Sequence, residues 1–409
     1  MRDSLELMLP VGSWESLAAA LQTKCDAVYF GVGSLNMRSH SSANFSLCDM
    51  AQIVAACREK GVKTYLTLNT VVYDSDMNDL YKAADAALKS GIDAVIASDM
   101  AAILYARQIG LPVHASTQLN IGNCQTVRFF AQYCDVMVLA RELSLEQVSV
   151  ISAFIRENKI TGPSGRLVKI EMFCHGALCM AMSGKCYLSL HEYNRSANRG
   201  ECVQICRRSY LAVDDETGRR LAVDNSYIMS PKDLCTIGFI HKMIDAGAQV
   251  FKVEGRARGP EYVKAVGDCY NEALEAYANK TFDASKTAAW MAKLQTVFNR
   301  DFWDGYYLGK NIAELNDVHG SKATRKKEYI ALCNNYFTKL GVGEFHMQSG
   351  SLAVGDSILV IGKTTGVVEM TVSEIRVDLK QVEQTVKGEI FSMPASQLIR
   401  RGDKMYKWM

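Results

Sequence analysis

The sequence predicts an α/β protein: a TIM-like (β/α) barrel over residues 1–281, carrying a cysteine-rich insertion at about 174–237. A helical connector over 282–324 and a small all-β barrel over 325–409 follow. Three observations carry this. Short apolar runs alternate with amphipathic helical stretches about eight times, the pattern of parallel strands joined by helices. Near the end of that alternation, six cysteines crowd into the stretch 174–237. From about residue 325 the apolar period drops to two, the period of half-buried strands.

The elements follow in order. Leu5–Leu9 reads as a strand and Ser13–Leu21 as a helix; Ala27–Phe30 is the second strand. Asp49–Lys60 is helical and stops at Gly61, and Leu80–Lys89 stops at Gly91, because glycine is the residue that leaves a helix through the left-handed region most readily. Thr64–Val72, Ala94–Ser98, Val113–Gln118, Val136–Leu139 and Val168–Phe173 are further strands. Helices Ala101–Gln108, Val127–Tyr133 and Leu145–Arg156 lie among them. After the insertion come helix Gly238–Ala246, strand Val250–Glu254 and helix Glu261–Ala278. An open doubly wound sheet is the competing arrangement of the same units. Within the insertion, Tyr210–Val213 and the run from Arg220 form a hairpin across Asp215–Gly218. The strands beyond residue 325 include Glu328–Cys333, Gly343–Met347, Ser357–Ile361, Val367–Val377 and Gly388–Phe391. With the phrase Leu352–Val360 and the later Arg401–Tyr406, this part is similar to the second domain of translation elongation factors, which implies a docking module for RNA or protein, or a packing partner.

Composition narrows the function. Lys and Arg number 46 against 44 Asp and Glu, a net charge of +2, so the chain is no uniformly basic nucleic-acid coat, although a local basic face is compatible with it. No run approaches the roughly 18 apolar residues of a membrane span, and the start Met1–Glu6 has no apolar signal core. The expected location is the cytoplasm, without a membrane partner. There thiols stay reduced, so the 13 cysteines point to metal binding or catalysis rather than disulfides.

The dense segment runs from Glu171 through Cys174, His175, Cys179 and Cys186, then through Cys202 and Cys206, and closes at Cys235. It begins where a strand ends, at the barrel face where active sites form. Gly176, Gly184 and Gly200 let the backbone bend round an inorganic core, and Lys185, Arg195, Arg199, Arg207 and Arg208 offset the negative charge of a thiolate cluster. Zinc fits the spacing poorly, because structural zinc favours close cysteine pairs and only Cys202 and Cys206 are close. Plain buried cysteines are the remaining alternative.

These residues also carry a resemblance. Glu171, Phe173, Gly176-Ala177-Leu178-Cys179, Gly184, Cys186 and Leu188-Ser189 match the signature of the collagenase-like peptidase family. Asn198-Arg199-Gly200, Cys202, Cys206-Arg207-Arg208, Lys232-Asp233-Leu234-Cys235 and Phe251–Arg256 resemble it as well. The family includes hydroxylases of RNA and of quinone precursors. The resemblance implies a 4Fe–4S cluster on four cysteines: Cys179, Cys186, Cys202 and Cys235, with Cys206 competing for the last place. It implies hydroxylation of RNA, first of the tRNA wobble uridine to 5-hydroxyuridine, with ribosomal RNA cytidine or a quinone precursor as other targets. Prephenate is the small anionic co-substrate it suggests as oxygen donor. A peptidase, and a non-catalytic RNA-binding protein with a structural cluster, are the rival readings.

Polar strand ends complete the set. Asn69, Ser116–Asn120, Arg141-Glu142 and Glu254-Gly255-Arg256 fall at successive barrel-strand ends. Glu254 and Arg256 are candidate catalytic residues able to bind an anion, against a structural Arg–Glu pair. His175 is a third, as proton donor or partner to a cluster sulfur, against a packed histidine. Protease signals are weak, since His191-Glu192 meets Arg195 where a zinc peptidase needs histidine. Lys322, Arg325, Lys326 and Lys327, with Arg400, Arg401, Lys404 and Lys407, are the candidate basic face for tRNA.

Overall fold

The structure, a computed structural model, describes residues 2–39, 44–221, 226–309 and 314–409. Eight parallel strands close on themselves: β1 (Glu6–Pro10), β2 (Ala27–Phe30), β3 (Lys63–Leu68), β4 (Ala94–Ala97), β5 (Val113–Ala115), β6 (Val136–Val138), β7 (Lys169–Gly176) and β8 (Val250–Val253). Each pairs with the next, β8 pairs with β1 through Glu6 opposite Val250, and β7 closes onto β8 through Glu171 opposite Val250. The outer helices are α1 (Trp14–Leu21), α2 (Met50–Arg58), α3 (Met77–Ser90), α4 (Met100–Gln108), α5 (Cys124–Phe130), α6 (Leu145–Glu157), α7 (Ile240–Asp245) and α8 (Pro260–Ala278). The closed barrel, not the open sheet, is the fold.

Local chemistry sets the helix ends. Ser13, Asp99, Asn123 and Ser144 accept the first free backbone N–H groups of α1, α4, α5 and α6. Pro260 opens α8, where its missing N–H costs nothing, and Gly91 leaves α3 at φ +75°. Two apolar layers result. Met8, Ala27, Tyr29, Tyr65, Ala94, Ile96, Val136 and Val250 fill the inside of the barrel. The opposite strand faces, including Leu7, Leu9, Val28, Phe30 and Phe251, pack on the helices.

Between β7 and α7 the chain leaves the barrel for the cysteine-rich insertion, with one short helix, Leu188–Tyr193. Its hairpin pairs Ala212–Val213 with Arg220–Leu221, and the continuation at 222–225 lies outside the described residues. The insertion ends in a short strand, Asp233–Cys235, antiparallel to the end of β7. The stretch 282–324 contains α9 (Ala284–Gln295), then the short strand Phe302–Trp303 beside Asp233–Cys235. Its buried Tyr307 donates to the Phe173 carbonyl at 2.9 Å, fastening this segment to the barrel. Residues Lys327–Trp408 form an eight-stranded antiparallel sheet curled over a core of its own that includes Phe345, Ile358, Phe391 and Met405. Among the described residues no helix is long and apolar enough to cross a membrane.

Candidate functional site: a thiol- and arginine-lined cavity

The C-terminal ends of the strands open into a cavity of about 280 Å³. Its floor is Tyr29 of β2, Thr67 of β3, Phe173 of β7 and Lys252 of β8, and Asn69, Ser116, Arg141, Glu254 and Arg256 follow from the loops just beyond the strands. Two arms of the insertion, 177–188 and 197–207, roof it. The arms are stapled to the barrel loops. Asn120 donates to the Ser183 carbonyl at 3.0 Å, Val71 N–H donates to the Asn198 carbonyl at 3.1 Å, and Arg199 pairs with Asp76 at 2.6 Å. Gly200, at φ +88°, lies so close to the Asn36 carbonyl that a Cβ there would meet it at 2.5 Å.

The roof brings Cys179, Cys186, Cys202 and Cys206 to one cavity. Burial pushes the Cys206 thiol up to about 11, Arg207 pulls it back, and the thiols of Cys179, Cys202 and Cys186 push it further, as neighbours of like charge do. Arg207 braces this group by donating to the Leu178 carbonyl at 2.6 Å, to Ser230 Oγ at 3.0 Å and to the Pro231 carbonyl. Cys235 stands apart from the four. It is buried behind β7, its sulfur 3.9 Å from the Tyr270 hydroxyl and 3.8 Å from the Met291 sulfur, and it does not line the cavity. The antiparallel pairing of Asp233–Cys235 with the end of β7 holds it there, opposite His175. Cys206, and not Cys235, thus shares the cavity with Cys179, Cys186 and Cys202.

His175 is not among the residues that line the cavity. The pairing of β7 with β8 shifts register between Lys252 and Val253, so that Phe173 pairs with Lys252 but His175 pairs with Val253. The bulge turns the His175 ring away from the cavity, to pack against Tyr262, Tyr270 and Phe302. Burial, with the Arg258 charge, pushes the imidazole down to about 3, so it is neutral. It is a packed histidine, with Nδ1 3.4 Å from the Tyr270 hydroxyl.

Glu254 and Arg256 both line the cavity. Glu254 pairs with Arg38 at 2.7 Å; burial opposes its ionisation, but Arg38, Arg256 and Arg141 outweigh that and hold the carboxyl at about 2. Arg256 donates to Asn36 Oδ1 at 3.0 Å and Thr67 Oγ1 at 2.9 Å, and burial lowers it to about 10. Its Nε and that of Arg141 are buried with no hydrogen-bond partner. Both arginines line the cavity, and planar guanidinium groups converging on one space suit an anion. Sequence reasoning missed Arg38 and Lys252. Lys252 was legible in principle, as a charge at an inward position of the four-residue strand β8. Arg38 lies in a loop whose path only the fold defines.

Among the described residues no three His, Cys, Asp or Glu side chains are close enough to hold a single metal ion. Cys179, Cys186, Cys202 and Cys206 nonetheless line the same cavity, and the thiolates of a polynuclear cluster bind separate irons. The donor set, all sulfur and backed by Arg207, fits an iron–sulfur cluster. The basic segments fare differently. Lys322 pairs with Asp317 at 2.6 Å, Arg325 with Glu369 at 3.3 Å, Lys327 with Glu261 at 2.7 Å and Lys407 with Asp356 at 2.7 Å, so much of the expected basic face is committed to ion pairs.

Residues 12–317 match the model of peptidase family U32. The chain is 54% identical to a collagenase of Porphyromonas gingivalis, over 99% of this chain and 98% of that one. It is 32% identical to a tRNA hydroxylation protein of Bacillus subtilis, over 81% of this chain and 77% of that one. It is 34% identical to the 23S rRNA 5-hydroxycytidine synthase of Escherichia coli, over 70% of this chain and 41% of that one.

Proposed function

This chain belongs to peptidase family U32, and from that premise we propose that it hydroxylates a base in RNA. The first target is the tRNA wobble uridine, converted to 5-hydroxyuridine, with prephenate or a similar small anion as co-substrate. The observation that carries the reading is the convergence, in one cavity, of Cys179, Cys186, Cys202 and Cys206 with Arg38, Arg141 and Arg256. The four thiols would hold a 4Fe–4S cluster, which supplies one-electron redox chemistry when bound. The protein's own part is positioning. Arg141 and Arg256 line the cavity and supply its positive charge to a carboxylate. The Arg38–Glu254 pair sets the cavity's charge without presenting a proton donor, because Glu254 stays ionised. Phe173 and Tyr29 supply apolar wall that displaces water from the reacting base.

The collagenase name of the relative from Porphyromonas gingivalis favours a peptidase as the second reading. A thiol peptidase needs a base beside its nucleophile. Among the described residues lining the cavity there is no histidine, and His175 faces elsewhere. Hydroxylation is therefore the reading we hold first. Mass spectrometry of tRNA and ribosomal RNA nucleosides from a deletion strain is the test. Loss of a hydroxylated pyrimidine, restored by the wild-type gene and not by Cys206→Ser, is the expected result. An unchanged nucleoside profile, with gelatin hydrolysis by the purified protein, would replace it with the peptidase.

A further inference from the structure

Lys252, on the cavity floor, pairs with a buried carboxylate that the proposed hydroxylation does not use. Lys252, 4% exposed, places Nζ 2.8 Å from Oε1 of Glu171, which is fully buried. The ammonium stands over the Tyr29 ring, 4.6 Å from its centroid, and 5.6 Å from that of Phe173. Lys252, Tyr29 and Phe173 line the cavity together with Arg141 and Arg256. The second oxygen of Glu171 is buried without a hydrogen-bond partner. Burying a charge with a vacant acceptor adds cost to a pair that at best breaks even. The Oε1 contact is the path by which this carboxyl can take up a proton from the ammonium and give it back.

We propose that Lys252 is an imine-forming lysine, with Glu171 as its proton carrier, acting on a small ketone or aldehyde that bears a carboxylate. The proposal rests on the reading that the arginine-lined part of the cavity takes a small anion, and on neither the cluster nor RNA. Arg141 and Arg256 hold the carboxylate and bring the carbonyl down to the floor. Glu171 accepts a proton from the Lys252 ammonium through the 2.8 Å contact, which frees the amine lone pair. The amine attacks the carbonyl carbon, a C–N bond forms, and the C=O π pair moves to oxygen, which takes a proton from the nitrogen. Glu171 returns its proton to the resulting hydroxyl, the C–O bond breaks, and water leaves. Lys252 ends as an iminium and Glu171 as a carboxylate, so a buried positive charge faces a buried negative one before and after, and no redox partner is required. Burial raises the Glu171 carboxyl, partly offset by Lys252, which suits a group that must carry a proton for part of the cycle. Glu6 and His114 lie below the pair and act on it electrostatically: the Glu6 charge raises Glu171, and Lys252 lowers His114.

The test is reductive trapping. The full-length protein is incubated with pyruvate, and separately with phenylpyruvate, in the presence of sodium cyanoborohydride, and its peptides are mapped by mass spectrometry. At least one probe should add to Lys252 about tenfold faster than to any exposed lysine, as expected of an activated amine. Glu171→Gln should slow this by about a hundredfold, the scale of lost proton transfer. Lys252→Arg, which keeps the charge over Tyr29, should remove the adduct while circular dichroism shows the wild-type fold. Labelling spread evenly over surface lysines with both probes, or Lys252 labelling unchanged in Glu171→Gln, would overturn the proposal. Trapping at Lys252 in a protein that leaves RNA nucleosides unchanged would uphold it while removing the hydroxylase reading.

Discussion

Cys206 and Cys235 are chemically identical, and position alone separates them. Cys206 shares the cavity with three other thiols, whereas Cys235 touches Tyr270 and Met291 behind β7. Anaerobically reconstituted wild-type protein should carry about four irons per chain. Cys206→Ser should fall well below one, and Cys235→Ser should keep the wild-type iron content and its visible absorption. Iron retained in the first and lost in the second would return the fourth ligand to Cys235. Histidines supply a second contrast. His175 and His114 are buried, and burial lowers them to about 3 and about 4. Each is neutral in the folded protein and becomes charged in the unfolded chain below about pH 6.5. The unfolded state then binds more protons, so stability falls as pH drops from about 6.5 toward those values. Glu254, held at about 2, acts in the same direction, its contribution disappearing between about pH 4.5 and 2. His175→Gln should therefore lose less stability on acidification than wild type, by about 1.4 kcal/mol per pH unit below pH 6. Urea midpoints at pH 7, 6 and 5 measure this, and parallel lines for the two proteins would contradict it.

At the scale of elements, the site depends on how the end of β7 meets the end of β8. Gly176 lies at φ +105°, and a Cβ there would fall 2.2 Å from the Glu254 carbonyl and 2.9 Å from the Tyr262 hydroxyl. Backbone cannot yield as a flexible side chain can, so Gly176→Ala carries both conformational strain and a clash. Its expected cost is about 3 kcal/mol, with weakened binding of small anions as the Glu254 segment shifts and takes Arg38 with it. Gly218 is the control: it also has positive φ, at +67°, but sits in the exposed hairpin turn with nothing near its Cβ position. Gly218→Ala should cost only about 1 kcal/mol. Equal losses for the two variants in denaturant melts would show that strain alone decides, and that the close approach of the strand ends is not needed.

Across the whole molecule, one face of the C-terminal sheet packs on the barrel helices, beside the core the sheet keeps to itself. Leu359, Ile361, Val367 and Trp408 belong to the same apolar cluster as the barrel helices. Gln22, just past α1, donates to the Thr365 carbonyl at 2.9 Å and accepts from Val367 N–H at 3.0 Å. Lys327 reaches Glu261, near the start of α8, where an anion is already favoured by the helix dipole. One cooperative unfolding transition is expected, and Gln22→Ala should lower its midpoint by about 1–3 kcal/mol, because two buried backbone groups lose their partner. Two separated transitions, with Gln22→Ala moving neither, would show that the modules are independent.

The sequence by itself determined the strand–helix repeat, because capped helices alternating with apolar strands leave few other ways to bury their faces, and closure into a barrel rather than an open sheet was decided by the pairing of β7 with β8. It also determined that cysteines, Glu254 and Arg256 belong to one end of that barrel, since each follows the carboxyl end of a strand. What it left open were choices among equals. Spacing does not separate Cys206 from Cys235, and strand alternation places His175 inward until a one-residue bulge reverses it. The joining of Arg38 from the loop after β2 to Glu254, and of Glu171 in β7 to Lys252 in β8, was decided only by barrel closure. Closure sets β7 beside β8 and β8 beside β1, so residues far apart in the chain share one buried, low-dielectric interior, where a charge has to find a partner.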